Sequence, residues 1–160
     1  LPLAATLATD RIYEAFLGPY EARKTFFHGH SYTANPLACA AAIANLEIFE
    51  REQVLEALPA KVEVVRQALE AFRDLPHVGE IRQCGLMVGI ELVRAPGQPY
   101  EWADAMGVRV CRRARTLGLI TRPLVNVVVF MPPLCSTEDE LRDMLRIIRE
   151  AIRLETEEAD

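Results

Sequence analysis

Lysine is nearly absent from this chain. Lys24 and Lys61 are the only two among 160 residues, against sixteen arginines. Chemistry that needs a lysine amine therefore has two candidates. Metal-site spacing is also missing. The four cysteines (Cys39, Cys84, Cys111, Cys135) are scattered without a C-x-x-C pair, and the histidines are only His28, His30 and His77. This excludes a zinc ribbon or a dithiol redox centre, predicts no metal, and reads as free thiols in a reducing cytoplasm. No apolar run approaches the roughly 18–20 residues that span a bilayer, so no membrane partner is expected. The net charge of −5 argues against a nucleic-acid partner. Methionine does not open the chain. LPLAATLATD lacks the basic start of a signal peptide, and the chain reads as a piece of something longer.

What is present is the profile of a soluble globular domain, 51% apolar and 26% charged. Residues 1–9 read as a short buried strand or its exit. Asp10 is placed to cap a helix over 11–17, stopped by Gly18-Pro19. Residues 20–34 have no period and read as a loop. Asn35-Pro36 then starts a helix, with Asn as cap and Pro at the first position. Apolar residues from Val54 to Phe72 recur at three- and four-residue spacing. They predict a long helix bent or broken near Pro59.

VGEIRQCGLMVGIELVR (78–94) predicts two strands with a bend near Cys84-Gly85, and APGQPY predicts a turn. A helix over 101–117 ends at Gly118. Short strands follow at 119–122 and 127–131, and Pro132-Pro133 stops the second. Thr137 and Glu140 suit a capping box. Leu141, Met144, Leu145, Ile148 and Ile152 then make one apolar stripe. This order predicts a small α/β domain over 47–160, with helices covering one face of a mostly antiparallel sheet. Residues 1–46 are expected to belong to a larger neighbouring domain.

The segment richest in chemistry is FFHGHSYTANPLA, residues 26–38. Hydroxyls, histidines and Gly29 run into a helix N-terminus, where free N–H groups and the helix dipole favour anions. Such loops also serve simply as caps. In GLITRPLVNVVVFMPPL (118–134), Arg122 stands on a short apolar strand. It is either a surface charge or a fork for a carboxylate.

HGHSYTANPLA resembles the H-G-x-[ST]-x-x-x-N-P-L-A segment of the class III, pyridoxal-phosphate-dependent aminotransferases. TRPLVNVVVFMPP is similar to their R-P-L-G-[ND]-x-x-x-x-M-P-P. IRQCGLMVGIELV (81–93) resembles a structural stretch of their small domain, in which Glu91 is expected to pack or to be solvated. HSYT together with LPLAATL is most like the branch that aminates 8-amino-7-oxononanoate in biotin synthesis, with S-adenosylmethionine as amino donor. Two departures stand out: Ala34 and Val125 replace glycines usual in the family.

The resemblance implies the C-terminal part of a type I pyridoxal-phosphate transferase fold, with a piece of the large domain at 1–46. It implies pyridoxal 5'-phosphate as cofactor and a cytoplasmic homodimer whose active site is shared between subunits. It implies that Ser31 bonds the cofactor's phosphate, with a backbone N–H from His30. Gly29 would line the substrate pocket, and Arg122 would hold the carboxylate of a small-molecule substrate. The family's cofactor-bearing lysine matches nothing here, because it falls just before LPLAATL. Lys24 and Lys61 both read as solvated surface lysines, so no catalytic residue is assigned and the chain alone is expected to be inactive. Two other readings remain at this point. One is an ω-amino acid or ornithine aminotransferase. The other is a non-catalytic dimerising module, suggested by the alanine-rich helix after Asn35.

Overall fold

The computed structural model describes residues 1–157. The chain divides into two compact units, Leu1–Glu52 and Gln53–Asp160. The division falls after an uninterrupted helix.

In the first unit, residues 1–9 form no strand and are exposed. A strand needs a neighbour to take its N–H and C=O groups, and none exists among the described residues of this unit. Helix α1 is Asp10–Glu14, shorter than the expected 11–17. Thr9 holds the cap position, without a side-chain bond. None of its residues is buried, and so short a helix gains little without packing. Helix α2, Pro36–Arg51, starts as expected. The Asn35 side chain accepts from the N–H groups of Leu37 and Ala38, both at 3.1 Å, with Pro36 at the first position.

The second unit begins with helix α3, Val54–Leu69. The helical break lies at Glu52-Gln53, where Gln53 adopts a φ of 47°, and not at Pro59, which sits inside α3. Pro59 is tolerated in the second turn because Leu55, four residues earlier, is exposed and its carbonyl can turn to water.

Strands β1 (Val78–Cys84) and β2 (Met87–Ala95) make an antiparallel hairpin. Gly85 takes the tight turn with a φ of 59°, so the expected bend is a chain reversal. A two-residue strand β3, Gln98–Pro99, pairs back onto β2. The helix expected over 101–117 is interrupted at Ala105, whose φ is 48°. A short 3-10 turn at Trp102–Asp104 precedes α4, Met106–Thr116. Strands β4 (Arg122–Leu124) and β5 (Val127–Phe130) complete a sheet of order β1-β2-β5-β4, every pair antiparallel. Arg122 opens β4 rather than ending a strand from 119.

The last helix, α5, is Glu138–Glu157. Its capping box forms as expected: the Glu140 carboxylate accepts from the Thr137 N–H at 2.7 Å, and the Thr137 hydroxyl accepts from the Glu140 N–H at 3.2 Å. The predicted stripe is the centre of the core. Leu141, Leu145, Ile148 and Ile152 are at most 1% exposed. They share one apolar cluster with Val65 and Leu69 of α3, Val110 of α4, and Val88, Ile90 and Val128 of the sheet. Helices cover that face alone. Within this unit the opposite face keeps Met87, Leu124 and Met131 more than half exposed.

One ion cluster fastens α4 to α5. The buried Glu155 carboxylate accepts from Arg113 Nε at 2.7 Å and Arg109 Nε at 3.2 Å. Lys61 is not a free surface lysine. Its ammonium donates to the Leu134 carbonyl at 2.7 Å and ties α3 to the segment before α5.

Ile148→Ala removes a fully buried side chain from the centre of this core. It is expected to lower unfolding free energy by about 2–5 kcal/mol, measured by urea denaturation.

Candidate functional site

The loop of the first unit is organised by a tight turn. The Tyr32 N–H donates to His30 Nδ1 at 3.2 Å, and the Thr33 N–H donates to the His30 carbonyl at 3.1 Å. The Asn35 N–H donates to the Tyr32 carbonyl at 3.2 Å. Ala34, with a φ of 55°, turns the chain into the Asn35 cap. The donors that precede this turn remain open. The Ser31 hydroxyl and the N–H groups of His30 and Ser31 have no partner among the described residues, and all of Gly29 to Thr33 is exposed. A side chain at Gly29 would meet nothing within 4 Å, so the loop presents open space there. His30, Tyr32, Thr33 and Asn35 also line a groove with Leu1 and Leu3. These donors fit an anionic group such as a phosphate.

In the second unit, Arg122 starts the edge strand β4, in register with Val129. It is exposed and makes no ion pair among the described residues. Contacts made by three residues (Asn126, Thr121 and Gly107) fix the turn after it. The Asn126 side chain donates to the Tyr100 carbonyl at 2.7 Å, and the Asn126 carbonyl accepts from the Leu92 N–H at 2.8 Å. The Thr121 hydroxyl donates to the Val129 carbonyl. The Gly107 contact is backbone against backbone. A β carbon at Gly107 of α4 would lie 2.2 Å from the Val125 carbonyl oxygen and 2.9 Å from the Pro123 side chain. Glycine lets α4 press directly on the turn.

Val125 has a φ of 54°, a conformation that a β-branched residue adopts only under strain. Both positions where the sequence departs from the expected glycine, Ala34 and Val125, are thus left-handed in the folded chain. The turns keep the glycine geometry without the glycine.

The predicted site residues fall on different units: Gly29, His30 and Ser31 on the first, Arg122 on the second. Glu91 lies on the open sheet face, 4.0 Å from Arg82 and in register with Val127, which is the packing or solvated role expected of it. Cys111 lines a hollow beside Arg122, and burial pushes its thiol up to about 11, so it acts there as an apolar group. Sequence reading missed Gly107 and Thr121. A glycine inside a helical pattern was the available signal for the first, since it usually marks a close approach.

The family model "Aminotransferase class-III" matches residues 1–152. The chain belongs to the class III aminotransferase family. It is 54% identical over 160 residues to an adenosylmethionine-8-amino-7-oxononanoate aminotransferase of Anoxybacillus flavithermus, which covers 99% of this chain and 35% of the relative. The protein of the same name from Geobacter sulfurreducens is 50% identical over 143 residues, 88% of this chain and 32% of its own length. The crystal structure of that aminotransferase from Methanocaldococcus jannaschii superposes with a TM-score of 0.91 at 44% identity, over 96% of this chain and 36% of that one. An omega transaminase of Pseudomonas jessenii, solved in complex with PMP, gives 0.78 at 34% identity, over 86% and 31%. The chain spans about a third of the length of the curated relatives it matches. The antiparallel α/β unit is thus part of a class III aminotransferase fold.

Two substitutions are expected to have opposite signs in thermal unfolding. Val125→Gly relieves the left-handed strain and stabilises by about 0.5–1 kcal/mol, although the added chain freedom offsets part of the gain. Gly107→Ala forces α4 off the turn and destabilises by about 1–3 kcal/mol.

Proposed function

We propose that this chain is the C-terminal part of a cytoplasmic, homodimeric aminotransferase that moves an amino group from S-adenosylmethionine to 8-amino-7-oxononanoate, giving 7,8-diaminononanoate for biotin synthesis. The observation that carries the reading is the similarity to relatives of that name over most of the chain, 54% and 50% in the two described above against 34% for the omega transaminase. The open donors at His30 and Ser31 support it as a cradle for the phosphate of pyridoxal 5'-phosphate, in a site shared with the neighbouring subunit. The cofactor, when bound, supplies the electron-withdrawing ring that lets an amino group leave one carbon and join another.

This chain's own residues bind and orient. The Ser31 hydroxyl and the His30 N–H hold the phosphate. Gly29 leaves room for the substrate chain. Arg122 offers a guanidinium fork to the carboxylate at the far end of the acceptor. Neither lysine suits the cofactor-bearing role. Lys24 is exposed, and Lys61 is tied to the Leu134 carbonyl. That role belongs to a part of the enzyme outside these 160 residues, and the chain by itself is expected to catalyse no transamination.

The test is an assay of the enzyme at the full length of its relatives, with 8-amino-7-oxononanoate as acceptor. Adenosylmethionine is expected to serve as amino donor, with formation of the diamine. Turnover with ordinary ω-amino acids and none with adenosylmethionine would contradict the reading and favour an ω-transaminase.

A further inference from the structure

Every other arginine of the second unit makes an ion pair, with partners along α3, α4 and α5 and around the sheet. Arg112, Arg115 and Arg122 make none among the described residues, and all three are exposed. They line one hollow at the outer edge of β4, floored by Val108, Cys111 and Pro123, with Thr121 beside them. No acidic side chain lines it. Arg112 and Arg115 are three residues apart, so they share a face of α4. On a chain of net charge −5, three uncompensated guanidiniums in one place form a local region of opposite sign.

One carboxylate needs one guanidinium fork, so Arg112 and Arg115 exceed what binding at Arg122 requires. Exposed and unpaired, they are also poorly placed to add stability. What they do is extend the positive potential outward from Arg122 along α4. Such a field raises the local concentration of an approaching anion, and its reach depends on salt.

We propose that Arg112 and Arg115 are specificity-determining residues that draw carboxylate-bearing acceptors to Arg122. The proposal rests on the reading that Arg122 takes the acceptor's carboxylate. The two arginines stay outside the bonded complex. They therefore affect capture of the acceptor and leave the reaction step unchanged.

The experiment is steady-state kinetics of the full-length enzyme with an R112Q/R115Q variant. Ionic strength is set at about 0.01 M and about 0.5 M, where charges are felt over roughly 30 Å and under 10 Å. At low salt the variant's KM for the acceptor is expected to rise about three- to ten-fold, with kcat unchanged. At high salt the difference from the parent should vanish. The methyl ester of the acceptor, which lacks the carboxylate and keeps only the ammonium charge, should show no rise in KM at either salt concentration. R112K/R115K retains the charges and should restore the low KM. An unchanged KM at low salt, an equal loss with the ester, or failure of the lysine pair to rescue would each overturn the proposal. An Arg122→Gln variant run in parallel separates the two readings. If it too leaves the acceptor KM untouched, the role assigned to Arg122 fails. If it raises KM and R112Q/R115Q does not, only the steering role fails.

Discussion

In the second unit a helix backbone rests against the backbone of a turn, and the rest of that unit is arranged to keep it there. The contact exists because residue 107 has no side chain. A single β carbon would lie 2.2 Å from the Val125 carbonyl oxygen, far inside any tolerable separation. Around it, Glu155 clamps Arg109 and Arg113 of α4 to α5. The buried stripe of α5 in turn clamps the helices to β2 and β5. The turn from Pro123 to Asn126 is thus held from the helix side by packing and from the sheet side by the hydrogen bonds of Asn126. Arg122 is the first residue of the strand that enters this turn, so its backbone inherits the rigidity.

Val125 shows what that rigidity costs. Its left-handed backbone would suit glycine, and the packing imposes it on a β-branched residue. The same holds more mildly at Ala34, before the Asn35 cap. In both places the surrounding contacts over-determine the turn, so its shape survives the loss of the residue that best suits it. The two departures from the expected glycines therefore read as local strain in turns whose shape the surrounding contacts hold.

Elements with strong local signals were legible in the sequence. The α5 stripe, the Thr137–Glu140 box and the Asn35-Pro36 start follow from patterns that act over a few residues, and each forms as expected, while at Gly85 the chain reverses where only a bend was expected. The signals that misled were those that depend on what lies nearby in space. Residues 1–9 look like a strand, but a strand needs a neighbour. Pro59 looks like a break, yet α3 runs through it, while the left-handed residue that does break the chain, Gln53, carries no compositional mark. Ala105 interrupts the expected 101–117 helix in the same unannounced way. For the site, motif lettering singled out Ser31 and Arg122 as candidates, while Gly107 carried only the mark of a glycine inside a helical pattern and matters because of Val125, eighteen residues later. The arginines at 112 and 115 looked like any charged helix face until the ion pairs of the others set them apart.

The central claim is that this part of the enzyme selects the substrate, through a carboxylate held by Arg122. The most direct measurement is the KM of the full-length enzyme for its carboxylate-bearing acceptor after Arg122→Ala, determined beside the KM for the amino donor. The account predicts that the acceptor KM rises at least about ten-fold, about 1.4 kcal/mol of lost binding, while the donor KM and cofactor content stay as they were. An unchanged acceptor KM, or an equal rise for donor and acceptor, would contradict it.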